Sequence, residues 1–127
     1  MNGRRRNSLL QLLELFRTVD AEVVVNDILV FLYVCENEGL NVSELAQIAR
    51  LTEATASRRA RALASPDIPF PVAPSMSLVE IFQGADGRQR LLCLTERGRE
   101  LKAQIAQIIA AADPIAEPPR ARRPVAA

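Results

Sequence analysis

The residues with the most chemistry to offer are three arginines, Arg58, Arg59 and Arg61, set among small and polar residues between Thr52 and Leu63. A guanidinium is a planar fork of donors that stays protonated, so it suits the O6/N7 edge of guanine and phosphate oxygens rather than proton transfer. At a helical step of about 100° per residue, Ala56, Ala60 and Leu63 fall on one side, and Ala54, Thr55, Arg58, Arg61 and Ala62 on the other. Arg58 sits near the centre of that outward face, where it can present a bidentate fork to guanine. Thr55 can bond a base edge or a phosphate, and Ala54 can touch a thymine methyl. Arg61, a turn further on, is placed for the phosphate backbone. Arg59 lies towards the packed side, with its stem covering apolar surface and its head reaching a phosphate or an acidic neighbour. Taken alone, the same three arginines describe an ordinary solvated helix face. The elements around them decide between the two readings.

Thr52 is the N-cap expected for a helix running to about Ala64, and Ser43 the cap for a preceding helix to about Ala49, since a hydroxyl there accepts the orphan N–H groups of a first turn. Only a few residues separate them, which is the layout of a helix-turn-helix. Arg50 stands where such turns usually carry glycine, and a left-handed conformation there costs an L-residue about 1–2 kcal/mol. Leu78 to Gln83 and Gln89 to Thr95 alternate as strands around Gly84-Ala85-Asp86-Gly87, the turn chemistry of a hairpin. Arg88 is at the tip with Arg90 close behind, and Asp86 is placed to orient the Arg88 guanidinium. A helix-turn-helix followed by a hairpin is a winged helix. Its second helix, about 52–64, is expected in the major groove of double-stranded DNA and its wing, about 83–90, at the minor groove, where narrow segments attract arginine. Ser43, Thr52, Ala54, Thr55, Ser57, Arg58, Arg59, Arg61, Arg88 and Arg90 are the candidate DNA contacts.

The flanking segments complete a mostly α fold with one small β-hairpin. Leu9, Leu12, Leu13, Phe16 and Val19 recur at helical spacing behind Ser8, predicting a capped helix from about Ser8 to Val19. From Asp27 to Glu36 the run is apolar all round, as in a central enclosed helix, with Gly39 as its left-handed terminator; a buried strand is the alternative. Pro66, Pro69, Pro71 and Pro74 exclude helix and central strand from Ser65 to Ser77, leaving an extended loop pinned by Ile68, Phe70 and Val72. Thr95 caps a last helix with Leu101, Ile105, Ile108 and Ala112 on one stripe, stopped at Asp113-Pro114. The expected organisation is therefore a flexible basic N-terminus at 1–7, a winged-helix domain at 8–112 and a flexible Pro/Arg-rich tail at 113–127.

Val42-Ser43-Glu44-Leu45-Ala46, Thr55-Ala56-Ser57-Arg58, Asp86-Gly87-Arg88 and Leu94-Thr95-Glu96-Arg97-Gly98-Arg99-Glu100-Leu101 together resemble the winged-helix core of MarR-type transcriptional regulators, over roughly Asp27 to Ile109. The resemblance implies a dimeric DNA-binding regulator, often a repressor of a palindromic operator. Members of that family continue through long C-terminal helices that complete the dimer, whereas the helical pattern here stops at about Ala112. Dimerisation is then expected from Leu9, Leu12, Leu13 and Phe16 with Ile105, Ile108 and Ile109, whose apolar stripes exceed what a small winged-helix core buries. The alternative is that the two helices pack on each other within one protomer.

Bulk composition narrows the remaining classes. The net charge of 127 residues is only +1, but it is segregated: six acids and no base lie between Arg17 and Arg50, while arginines cluster at Arg4 to Arg6, Arg58 to Arg61, Arg88 to Arg90 and Arg120 to Arg123. All but Lys102 of the sixteen basic residues are arginine, a bias that a GC-rich coding sequence also produces. With no histidine, no glycine-rich phosphate loop and no nucleophile beside a base, no enzyme is expected. Cys35 and Cys93 have neither disulfide nor zinc spacing, no cofactor or metal is implied, and no apolar segment is long enough for a membrane, so a reducing cytoplasm is the expected home. Cys35, Tyr33 and Phe31 could line a sensing pocket, though a cysteine in an apolar helix is more often inert core. The competing reading of the whole is a winged-helix module that binds protein instead of DNA.

Overall fold

Four of the five helices among the described residues begin at a short polar side chain that accepts from an orphan N–H group, the helix capped by Val24 being the exception, and the computed structural model, which describes residues 5–117, shows which side chains do so. Helix α1 spans Ser8–Val19, α2 Val25–Glu36, α3 Val42–Ala49 and α4 Glu53–Leu63; strands β1 (Val79–Gln83) and β2 (Arg90–Leu94) precede α5, Glu96–Ala111. Thr52 and Thr95 cap α4 and α5 as expected, accepting from Thr55 N and Gly98 N. Two caps are corrected by one and two positions. Asn7, not Ser8, accepts from Leu10 N at 2.9 Å, while the Ser8 hydroxyl turns across to α5, accepting from Asp113 N at 2.8 Å. Asn41, not Ser43, caps α3 in a reciprocal box: it accepts from Glu44 N at 2.8 Å, and Glu44 Oε1 accepts from Asn41 N at 2.9 Å. The expected tail beyond 117 and residues 1–4 lie outside the described residues.

The core forms where α2 meets α4, α3 and the hairpin. Val30, Phe31 and Val34 of α2 are fully buried against Leu45, Ala56, Ala60, Leu63, Leu92 and Leu94. Alanine at 56 and 60 keeps side-chain bulk out of the contact, so α4 can lie close on its neighbours with Arg58 turned to solvent. Phe31 also meets Phe16 edge to face, ring centroids 5.8 Å apart, and so joins α1 to the core. The expectation of an α2 enclosed on all sides is corrected: its outer face leaves Val25 and Leu29 exposed. The chain leaves α2 through the cap at Asn37, and Gly39, at φ +92°, lies two residues further on in a conformation that favours glycine.

The wing is a two-stranded antiparallel hairpin paired Val79↔Leu94, Ile81↔Leu92 and Gln83↔Arg90. Alternation turns Val79, Leu92 and Leu94 into the core and Glu80 and Phe82 outward. Its inner edge is fastened to the connection between α2 and α3, with Leu92 N donating to Leu40 O at 2.9 Å and Gly39 N to Leu92 O at 2.7 Å.

The proline-rich loop ends by running back along the C-terminal turn of α4. Met76 N, Ser77 N and Leu78 N donate to the carbonyls of Ala62, Ala64 and Leu63 at 3.0, 3.2 and 2.7 Å, which satisfies the acceptors a helix end leaves orphaned. Ala62, expected on the outward face, is consequently fully buried. Ile68 packs on the core as expected, but Phe70 does not: it is 80% exposed. The same loop is bolted to α5, where Thr95 Oγ1 donates to Ser77 O at 2.7 Å and Arg97 Nη1 to Met76 O at 3.0 Å. Gly98 permits this closeness, because a Cβ there would stand 2.1 Å from Leu78 O.

Candidate nucleic-acid interface

The outward face of α4 carries the sequence-predicted contacts in three different states. Arg58 and Ala54 are exposed, and Arg58 has no carboxylate partner within salt-bridge distance among the described residues. Arg59 is committed inward: its Nη1 lies 3.0 Å from Oδ1 of Asp27, a buried carboxylate on α2. Of the two destinations the sequence left open for its head, the geometry selects the acidic neighbour. Arg61 bends along its own helix, with Nε donating to Ser57 O at 3.3 Å and Nη1 lying 3.5 Å from Phe70 O, so it joins α4 to the proline-rich loop while keeping its charge unpaired by any carboxylate among the described residues.

The smaller candidates organise the start of the helix. Thr52 Oγ1 both accepts from Thr55 N at 3.1 Å and donates to Thr55 Oγ1 at 3.0 Å. Ser43 Oγ donates to Glu53 Oε1 at 2.6 Å, which ties α3 to the first turn of α4. Glu53 and Asp27 are the residues of this region that the sequence pattern did not single out. Asp27 had a legible local role as the third residue of α2, where it accepts from Val24 N at 3.3 Å, but its pairing with a residue 32 positions away had no sequence signal.

The turn connecting α3 to α4 is built in the standard way despite its residue. Arg50 caps α3 at φ 57°, ψ 45°, and its N–H donates to Gln47 O at 3.3 Å. The left-handed position usually held by glycine is thus occupied by arginine, and the cost expected from the sequence is incurred.

At the wing, Asp86 organises backbone instead of the arginine head that it was expected to orient. Its Oδ1 accepts from Arg88 N at 3.0 Å and Gln89 N at 3.3 Å, and these donors hold the carboxyl below its ordinary pKa. Gly87 adopts φ +74°, and Gln83 Nε2 donates to its carbonyl at 2.7 Å across the tip. The turn is therefore hydrogen-bonded in place, and Arg88 and Arg90 project from it exposed, neither in a salt bridge among the described residues. Arg90 and Gln83 share a groove of about 430 Å³ with Ser57, Arg61 and Phe70, so α4, the proline-rich loop and the wing form one continuous surface. The loop's part in it was not anticipated.

The dimerisation set divides. Phe16 and Ile105 are 2% and 5% exposed within their own protomer, which corrects their assignment to an interface. They belong to the packing of α1 on α5, as the alternative held. Leu9, Leu13 and Ile109 nevertheless remain exposed along a small apolar cleft of about 100 Å³. Cys35 is buried in the core, and its thiol is pushed up to about 11, chiefly by burial. Phe31 beside it is fully buried, so the two contribute to core packing rather than to an open sensing pocket. Among the described residues no acidic, cysteine or histidine cluster could hold a metal ion, and no helix is long and apolar enough to cross a membrane.

Neither a protein-family model nor any curated protein sequence matches the chain. Solved structures do. RV1404 from Mycobacterium tuberculosis superposes with a TM-score of 0.61 at 16% identity over 81% of this chain and 65% of that one. The transcriptional repressor CouR, bound to a 23-mer DNA duplex, gives 0.56 at 20% identity over 84% of this chain and 70% of that one. A MarR-family transcriptional regulator from Rhodococcus sp. RHA1 gives 0.54 at 21% identity over 80% and 67%. The chain thus spans about two thirds of the length of these proteins. At such identities the likeness is one of fold, and the fold is the MarR-type winged helix: five helices and a two-stranded wing.

Proposed function

We propose that this chain is a sequence-specific regulator of transcription that binds double-stranded DNA as a homodimer and acts as a repressor. Helix α4 enters the major groove, where Arg58 reads guanine O6 and N7, with Ala54 and Thr55 beside it. The wing lies along the backbone, and Arg88 enters the minor groove. The observation that carries this reading is the contrast between adjacent arginines: Arg59 is neutralised by Asp27, whereas Arg58 and, on the wing, Arg88 and Arg90 are exposed without carboxylate partners among the described residues. Exposed Leu9, Leu13 and Ile109 are the surface offered to a second copy.

The test is selection of bound fragments from a random duplex pool, followed by anisotropy titration of the enriched sequence. Arg58→Ala should weaken that site by about 1–3 kcal/mol and relax its preference at one position, while Arg88→Ala lowers affinity with less effect on major-groove specificity. Neither substitution altering affinity would transfer the surface to a protein partner. Light scattering at micromolar concentration should return the mass of two chains; monomer alone removes the dimer.

A further inference from the structure

We propose that the proline-rich segment between α4 and β1 is a third DNA-contacting element, with Phe70 as its apolar contact; this rests on the DNA-binding reading above. Phe70 is 80% exposed, the most exposed large apolar side chain among the described residues, and its backbone sits at φ +53°. A left-handed conformation is unfavourable for a bulky L-residue, and such outliers persist where the surroundings impose them. Here the surroundings are Pro69 and Pro71 on either side, each locking its own φ, and the Arg61 guanidinium 3.5 Å from the Phe70 carbonyl. The chain therefore holds an aromatic ring outward at a conformational cost, in a place where it contributes little to the core.

What surrounds the ring identifies its partner. Phe70 shares one groove with Ser57 and Arg61 from α4 and with Ile81, Gln83 and Arg90 from the wing, and no carboxylate lines it. A duplex strand that passes from the major groove filled by α4 to the minor groove touched by the wing has to cross between those two elements. Arg61 and Arg90, on opposite walls, suit its phosphates, and the ring between them suits the apolar face of a deoxyribose or a thymine methyl. Val42, Ala60, Ile68, Pro69 and Ile81 give the groove an apolar lining, but its charged groups are two guanidiniums with no carboxylate, a one-signed field that suits a polyanionic strand.

The experiment uses the full chain with a fluorescein-labelled duplex enriched by in vitro selection and a scrambled duplex of equal length. Phe70→Ala should weaken the selected duplex about tenfold without changing the salt dependence, since no phosphate contact is lost, whereas Arg90→Ala should lower the salt slope by about one. Phe70→Leu should recover most of the loss. Hydroxyl-radical cleavage of the wild-type complex should show protected sugars on the strand between the two groove contacts, a protection that Phe70→Ala removes. Wild-type protein that leaves those sugars open, or Phe70→Ala binding like wild type while Arg58→Ala is impaired, overturns the loop's role and leaves the DNA reading standing. Wild-type protein with no affinity for either duplex overturns both.

Discussion

Arg59 Nη1 stands 3.0 Å from Oδ1 of Asp27, and this pair joins the helix proposed to read DNA to the helix at the centre of the core. The Asp27 carboxylate is 1% exposed, so its charge is tolerable only while the guanidinium remains. The pair and the buried Ala56, Ala60 and Leu63 agree on one rotation of α4. With Arg59 drawn inward, Arg58 one position earlier is turned to solvent.

Removing one partner should therefore cost far more than removing both. Arg59→Leu is expected to destabilise the fold by about 3–5 kcal/mol in urea unfolding, because it strands a buried charge, while Arg59→Leu combined with Asp27→Leu returns much of that loss. A double variant whose loss equals the sum of the losses for Arg59→Leu and Asp27→Leu alone would show that the pair is not coupled.

Arg50 offers a gain in stability. Its φ of 57° is a conformation glycine adopts freely, so Arg50→Gly should raise the unfolding free energy by about 0.5–1.5 kcal/mol, after allowing for the greater freedom of glycine in the unfolded chain. A chemical denaturation midpoint that fails to rise would mean that the arginine side chain contributes enough to offset its backbone.

Gly98 is the opposite case. A Cβ placed 2.1 Å from Leu78 O must push α5 away from the start of β1, so Gly98→Ala should destabilise by roughly 1–3 kcal/mol even though alanine is the better helix former. Because Thr95 N also donates to Leu78 O, hydrogen exchange should quicken first at Thr95 and Gly98.

Cys35 makes stability depend on alkaline pH. Burial raises its thiol from 9.0 to about 11 in the folded chain, so the unfolded chain loses its proton first. Its contribution is present in full below pH 9 and is lost as pH rises through about 11, and Cys35→Ser should flatten the decline in unfolding free energy over that window. At neutral pH, native protein should react with a thiol reagent at Cys93, which is partly exposed, well before Cys35.

Much of this molecule was legible from local pattern alone. The ends of α4 and α5 followed from Thr52 and Thr95, because a cap and the N–H it serves are three residues apart. The wing followed from alternation around an Asp-Gly turn, and the Arg50 strain from a turn position whose conformation does not depend on distant packing. Local pattern was weaker where two polar residues stood close together: Asn7 against Ser8, and Asn41 against Ser43, differ only in which side chain reaches the right amide.

What tertiary structure alone decided is the use of each side chain once elements meet. The arginines of α4 were visible as a set, but only the packing of α4 on α2 separates a buried ion pair at Arg59 from an exposed fork at Arg58. The stripes on α1 and α5 were visible, but only their mutual contact divides Phe16 and Ile105 from the exposed Leu13 and Ile109. Prolines showed that residues 65–77 form a loop, and only its return along α4 buries Ala62 while leaving Phe70 in solvent. The physical reason is range: caps, turns and periodicity act within a few residues along the chain, whereas burial and charge pairing depend on residues that the fold brings together from far apart.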